Sequence, residues 1–408
     1  MTSATPPPSA GSSERPRWAN WPGRAADPFD LGPFRWAPHP LPLAPALKGR
    51  VFVRGFVTAL VMWVPLAILS AVQGLAMGRS PAESFLYDYM AYGRYLVAAP
   101  ALASAGILVL PMLSRVVGHF LDAEMIWSDQ IPAYEALVAS TRRLLTSGWV
   151  DLAILAAAYA ASLQMSPALY PAGLTSWVAP LGPAGTSQLS LAGWWRALVS
   201  QPLFNTLVGV WLWRQVVWAW FLWRVTRLDL RLVAAHPDGL AGLRFVMIPV
   251  RFSAVIAFGF SVIGASTIAH GVLVNGQPFA SFRYLIGAQV LGIVLLLCGP
   301  LLMLTPLLLR VHAWGTFNYG RLAAELGHHF QRRWLGIPVT ADSLGVPDFS
   351  ATTDLYAITS NVRTMSLIAL DLGTVGSIAV ASLLPYVPIL LATRPLEEIL
   401  DFLLKAFM

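Results

Sequence analysis

Runs of about twenty residues with almost no charge recur along this chain, and they restrict its fold more than any other feature. One of them, "SAVIAFGFSVIGASTIAHGVLV", holds no Asp, Glu, Lys or Arg. A run of that length crosses the hydrocarbon core of a bilayer as a helix. In lipid the backbone must satisfy its own hydrogen bonds, which leaves only helices and closed barrels. A barrel would show strands of about ten residues with alternating hydrophobicity, whereas these blocks are continuously apolar. The expected fold is therefore all-α: a polytopic transmembrane helical bundle with six or seven spans. Composition agrees, because only 12% of the chain is charged and 56% is hydrophobic, against about 25% charged in soluble domains.

The candidate spans are 56–77, 95–115, 149–169, 203–223, 252–274, 285–309 and 366–391. The last contains Asp371, Pro385 and Pro388, so a kinked or re-entrant segment is an alternative to a full crossing. Most of the 27 Lys and Arg residues fall in alternate connections: 1–55, 116–148, 224–251 and 310–365. The positive-inside rule assigns those connections, and the N-terminus, to the cytoplasm. The same pattern explains the net charge of +7 without nucleic acid, so no nucleic-acid partner is expected.

Three further regions complete the layout. Residues 1–47 hold 11 of the 31 prolines and no apolar core, which reads as a disordered cytoplasmic tail. Residues 48–394 form the bundle, with cytoplasmic loops at 116–148, 224–251 and 310–365. Within the last of these, Tyr319, Leu322, Ala323, Leu326 and Phe330 share a helical face. Residues 395–408 read as an interfacial amphipathic helix, with Pro395 in its first turn. Cys298, the single cysteine, excludes an internal disulfide.

Candidate functional residues are few. Arg214 lies inside a span beside Gln215 and among several Trp. A charge at that depth usually faces the bundle interior and has a partner. Counting inward from the ends of the spans pairs it with Asp371, either as structural glue or as the lining of a solute path; Asp151 reads as shallower. In "HPDGLAGLRF", His236 and Asp238 flank a proline ahead of a glycine. This is foremost a turn with an Asp cap, and alternatively a ligand contact. Gly373, Ser377 and Ala381 recur every four residues and suit close helix approach; Gly259, Gly264, Gly287 and Gly292 hint at the same. His236, Asp238, His312, His328 and His329 have no metal-ligand spacing, so neither a metal nor a cofactor is expected. Phosphate-loop, dinucleotide, serine-hydrolase and zinc-protease signatures are all missing, and no catalytic residue is assigned.

The runs "HPDGLAGLRF", "NYGRLAAELGHHFQRRWLG" and "LPYVPILLATRPLEEILDFLLKAF" together resemble an uncharacterised bacterial polytopic inner-membrane protein family. That family carries a His-Pro-Asp cytoplasmic loop and a C-terminal amphipathic helix. The resemblance covers roughly Trp220 to Met408; Gly239 stands where a basic residue is common and Arg244 where glycine is common. It implies residence in a bacterial inner membrane and no particular activity. The favoured functional expectation is a small-solute or ion transporter or channel-like protein. Nearly level with it is a structural or regulatory scaffold binding a protein on its cytoplasmic face. A membrane-embedded enzyme using His236 and Asp238 as a base pair comes third. The lipid bilayer is the expected partner in every case, and the sequence leaves the oligomeric state open.

Overall fold

The computed structural model describes residues 47–78, 83–164, 176–180, 188–335 and 347–393. The expected tail, apart from Leu47, and the expected helix at 395–408 lie outside them. The protein is an all-α helical bundle, with no strand among the described residues. In chain order its helices are α1 (Leu47–Val72), α2 (Tyr89–Asp122), α3 (Ile131–Leu145) and α4 (Gly148–Gln164). They continue as α5 (Gln201–Val225), α6 (Ala254–Leu273), α7 (Arg283–Cys298), α8 (Thr305–Trp334), α9 (Pro347–Arg363) and α10 (Leu372–Thr393).

Six helical segments are long and apolar enough to cross a membrane: Val53–Val72, Tyr89–Asp122, Ile131–Leu163, Ala254–Leu273, Phe279–Trp334 and Leu372–Thr393. The protein is thus an integral membrane protein. The uncertain span at 366–391 resolves into α10, helical from Leu372 to Thr393 with one 3-10 turn, Leu384–Tyr386, at Pro385. Of the seven expected spans, the one that falls outside the apolar six is 203–223, which is α5. It is 25 residues long, sufficient for a crossing, but Asn205, Arg214, Gln215 and its tryptophans make it more polar. Its Phe204, Leu207, Trp211, Trp218 and Phe221 are buried in the main core.

Lipid tails are as apolar as leucine, so helices in a bilayer associate through close packing and a few hydrogen bonds. The small-residue expectation holds for α6. A Cβ added at Gly259 would sit 2.9 Å from the Leu102 side chain, and one at Gly264 would collide with Gln289. It does not hold at Gly287 and Gly292 on α7, where nothing lies near. On α10 the packed face is shifted by one residue from Gly373, Ser377 and Ala381. Thr374, Ile378 and Ser382 are buried, and Gly373 is exposed. Polar chemistry sets that register: the Ser261 hydroxyl donates to the Ser382 carbonyl, and the Tyr386 hydroxyl donates to Gln289 Oε1 at 2.7 Å.

α8 runs past the bundle and pairs with α9. Phe330 and Trp334 meet the Phe349 ring at 5.0 and 4.9 Å, and Arg333 bridges to Asp348 at 2.7 Å. Tyr319, Ala323, Leu326 and Phe330 are half-buried on the expected face of α8, whereas Leu322 is exposed. Gly315 of α8 lies against Ala234 and Val362, which sets the α8–α9 pair against the 226–247 connection.

Candidate functional site

The connection from α5 to the short helix Ile248–Phe252 is irregular but firmly tied. The Arg231 N–H donates to the Met125 carbonyl at 2.7 Å, the Asp229 N–H donates to Gln130 Oε1 at 2.9 Å, and Ile126 pairs with Leu230 in an isolated bridge. At its centre the chain wraps around one carboxylate. Asp238 Oδ1 accepts the N–H groups of Leu240 (2.8 Å) and Gly242 (3.0 Å), and Oδ2 accepts that of Arg244 (3.1 Å). Such a wrap needs left-handed backbone, which Gly239 (φ +70°), Ala241 (φ +55°) and Gly242 (φ +96°) supply. A Cβ at 242 would also lie 2.8 Å from Met125 Cε, so the end of that side chain would have to move aside.

This turn shapes a cavity of about 370 Å³ lined by His119, His236, Asp238, Gly242, Arg244, Phe245, Met247, Ile248 and Arg251. Four elements contribute to it or brace it. His119, from the last turn of α2, sets its ring edge-on to Phe245 at 4.4 Å. Arg251, from the short helix, donates through Nη2 to Asp371 at 2.6 Å and through Nε to the Thr374 hydroxyl at 3.0 Å. Arg244 donates through Nη1 to the Asp238 carbonyl at 3.1 Å, and its Nη2 lies 3.5 Å from the same Asp371 oxygen. Asp371 is the N-cap of α10, accepting the Thr374 N–H at 2.6 Å. One carboxylate therefore holds two guanidiniums side by side.

The charges divide in a particular way. Burial alone would raise the Asp238 pKa, but the three backbone N–H groups and His236 hold it below its ordinary value. The same opposition acts on Asp371: burial pushes it up, and Thr374 and Arg251 bring it below the ordinary value. Both carboxylates are thus ionised and already committed to the protein. The guanidiniums are not used up. Each carries five N–H donors, the contacts above use two on each, and the side chains are 55% (Arg244) and 51% (Arg251) exposed. His236 Nδ1 lies 2.9 Å from Asp238 Oδ1 and 3.2 Å from the Asp238 N–H. Neutral at Nδ1 it accepts that N–H; protonated there it donates to the carboxylate. Its side chain is 44% exposed.

Two of the residues read from the sequence, His236 and Asp238, therefore lie in the cavity wall, with Asp371 just behind it. Arg214 and Gln215 are elsewhere, and the expected Arg214–Asp371 pair is replaced by other partners. Asp371 binds Arg244, Arg251 and Thr374. Arg214, 8% exposed, stands over the Trp211 ring at 5.0 Å, and the carboxylate whose field supports its charge is Asp151. The reason is depth. Residues 366–370 are not helical, so Asp371 starts α10 at the end of the bundle, while Arg214 lies eleven residues, about 16 Å, before the end of α5. Gln215 is half-buried beside Arg214.

Sequence reasoning missed His119, Arg244 and Arg251 as a group, having counted the arginines only toward orientation. His312, His328 and His329 line α8 without joining the cavity, and among the described residues no group of three or more His, Cys, Asp or Glu could hold a metal ion. No family model, curated protein or solved structure matches the chain.

Proposed function

We propose that this integral membrane protein binds an anionic ligand in the His119–His236–Arg244–Arg251 cavity, as the recognition step of small-solute handling. One observation carries the reading: two half-exposed guanidiniums, fixed within reach of one Asp371 oxygen, face an open cavity with donors to spare. Paired guanidiniums are well suited to anions with several oxygens. The sequence resemblance and the distribution of basic residues support placement in a bacterial inner membrane with the N-terminus in the cytoplasm. On that orientation the cavity opens to the cytoplasm, and basic connections around it raise the local anion concentration.

The test is equilibrium binding of inorganic phosphate, sulfate and glycerol phosphate to the full chain in detergent. Saturable binding is expected for at least one of them, weakened at least tenfold by Arg244→Gln combined with Arg251→Gln. Flux of the bound anion into proteoliposomes would then establish transport. Binding without flux would leave the site but remove the transporter, and the absence of saturable binding in folded protein would sink the reading.

A scaffold is the second reading, favoured by α8. Trp314, Phe317 and Leu322 are exposed on it, and apolar residues in such a position can receive a partner.

A further inference from the structure

We infer that the ligand of this cavity is a phosphate monoester carried on an apolar chain, a phosphatidate-type lipid drawn from the adjoining leaflet. The inference rests on the anion-binding reading above and adds where the site sits and what borders it. Its groups lie at the ends of three membrane-crossing segments. His119 is one turn inside the end of Tyr89–Asp122, Arg251 lies three residues before Ala254–Leu273, and Asp371 directly precedes Leu372–Thr393. At about 1.5 Å per residue, all three fall within about 5 Å of a helix end on the same side of the bundle. Ends of membrane-crossing helices lie toward the headgroup level and away from the middle of the hydrocarbon core, which is where a lipid headgroup would meet these cations.

The border of the cavity is two-sided. Phe245, Met247 and Ile248 line it together with the cations. Ile248 and Phe252, one turn apart on the short helix, are 46% and 41% exposed. A soluble anion has no use for that apolar flank, whereas a lipid can leave its acyl chains along it with the phosphate between the guanidiniums. Charge narrows the class further. A phosphodiester bearing an ammonium would bring a cation against Arg244 and Arg251. A monoester brings up to two negative charges and three non-bridging oxygens with no cation attached. The 370 Å³ cavity lies within the usual range for small-ligand sites.

The deciding experiment measures binding of short-chain dioctanoyl phosphatidate to the full chain in detergent, beside dioctanoyl phosphatidylcholine, glycerol phosphate and inorganic phosphate. Phosphatidate should bind at least tenfold more tightly than each of the other three. Arg244→Gln should remove at least tenfold of that affinity, and Arg231→Gln, a basic residue stacked over Trp127 outside the cavity, should not. Should Arg244→Gln fail to fold, His119→Gln serves, with a loss of threefold or more expected. Glycerol phosphate or inorganic phosphate binding as tightly as phosphatidate would overturn the lipid assignment and leave the anion site standing. Equal binding of phosphatidylcholine, or affinity unchanged by the cavity variants, would show a nonspecific detergent-like interaction and overturn the assignment too. If no phosphate compound binds, the lipid assignment and the anion site fall together.

Discussion

Arg214 and Arg251 are both basic side chains on bundle helices, and the bundle treats them in opposite ways. Arg214 is buried at mid-helix, covered by Trp211 and supported by Asp151. Arg251 sits at the end of the apolar zone, half exposed, in a short salt bridge and with donors unspent. A charge taken out of water demands compensation within the protein, so a buried arginine is used up by its own surroundings. A charge at the membrane end keeps part of its hydration and can exchange it for a ligand. Depth, more than residue type, thus separates the structural arginine from the binding ones.

The sharpest way to break that comparison is to remove the support of Arg214. Asp151→Asn removes a carboxylate whose field favours the buried Arg214 charge. Because Asp151 is itself only half-buried, we expect a loss of about 2–3 kcal/mol in unfolding free energy, below the range for breaking a fully buried pair. Arg214→Met removes the buried charge itself and should cost clearly less. Denaturant unfolding of both variants in one detergent checks the order, and the reverse order would mean that Arg214 is not a buried structural charge. Ligand affinity at the cavity should be unaffected by either change in protein that remains folded.

At the other end, Asp238→Ala deprives three backbone N–H groups of their acceptor. Hydrogen bonds to a charged group are worth more than neutral ones, and we expect destabilisation of about 2–3 kcal/mol. Protease cleavage within 236–244 should become readily detectable. Gly242→Ala follows at about 1–2 kcal/mol, because the left-handed backbone and the nearby Met125 both oppose a Cβ. Gly239→Ala, with nothing within 4 Å of its Cβ, should suffer only the backbone penalty. Equal effects at 239 and 242 would remove Met125 from the account.

The contrast also marks how far the sequence could be read. Membrane residence and the helical bundle follow from apolar length alone, which is why nearly every span lies close to where hydropathy places it. The turn at His236-Pro237-Asp238 follows from residue chemistry. The site was harder. In "SLIALDLG" the run Leu367 to Leu370 is apolar enough to pass for the start of a crossing, so Asp371 reads as intramembrane. An aspartate with a free N–H three residues ahead is a strong N-cap, and capping starts the helix one residue later, at Leu372. That local preference moved the carboxylate to the end of the bundle, away from Arg214 and onto two arginines that hydropathy treats only as orientation signals. His119 had no sequence signal, since it becomes a neighbour of His236 only through the packing of α2 against the connection.

The smallest effect concerns acid. Asp238 and Asp371 both have folded pKa values below the ordinary 3.8. A carboxylate of that kind contributes stability that is complete above its unfolded pKa and disappears as pH falls through the lower, folded value. The groups facing Asp238 are His236 and, through the shared turn, Arg244; those facing Asp371 are Arg244 and Arg251. The stability difference between wild type and Asp238→Asn isolates one carboxylate from the rest of the titration. We expect that difference to be essentially complete at about pH 5 and to shrink as pH falls through 3.8 and below. Thermal unfolding of the two proteins at stepped pH measures it. A difference already shrinking near pH 5 would mean that the three N–H groups do not outweigh burial at Asp238, and that the turn is held by Gly239, Gly242 and the clasp on Met125 instead of by its carboxylate.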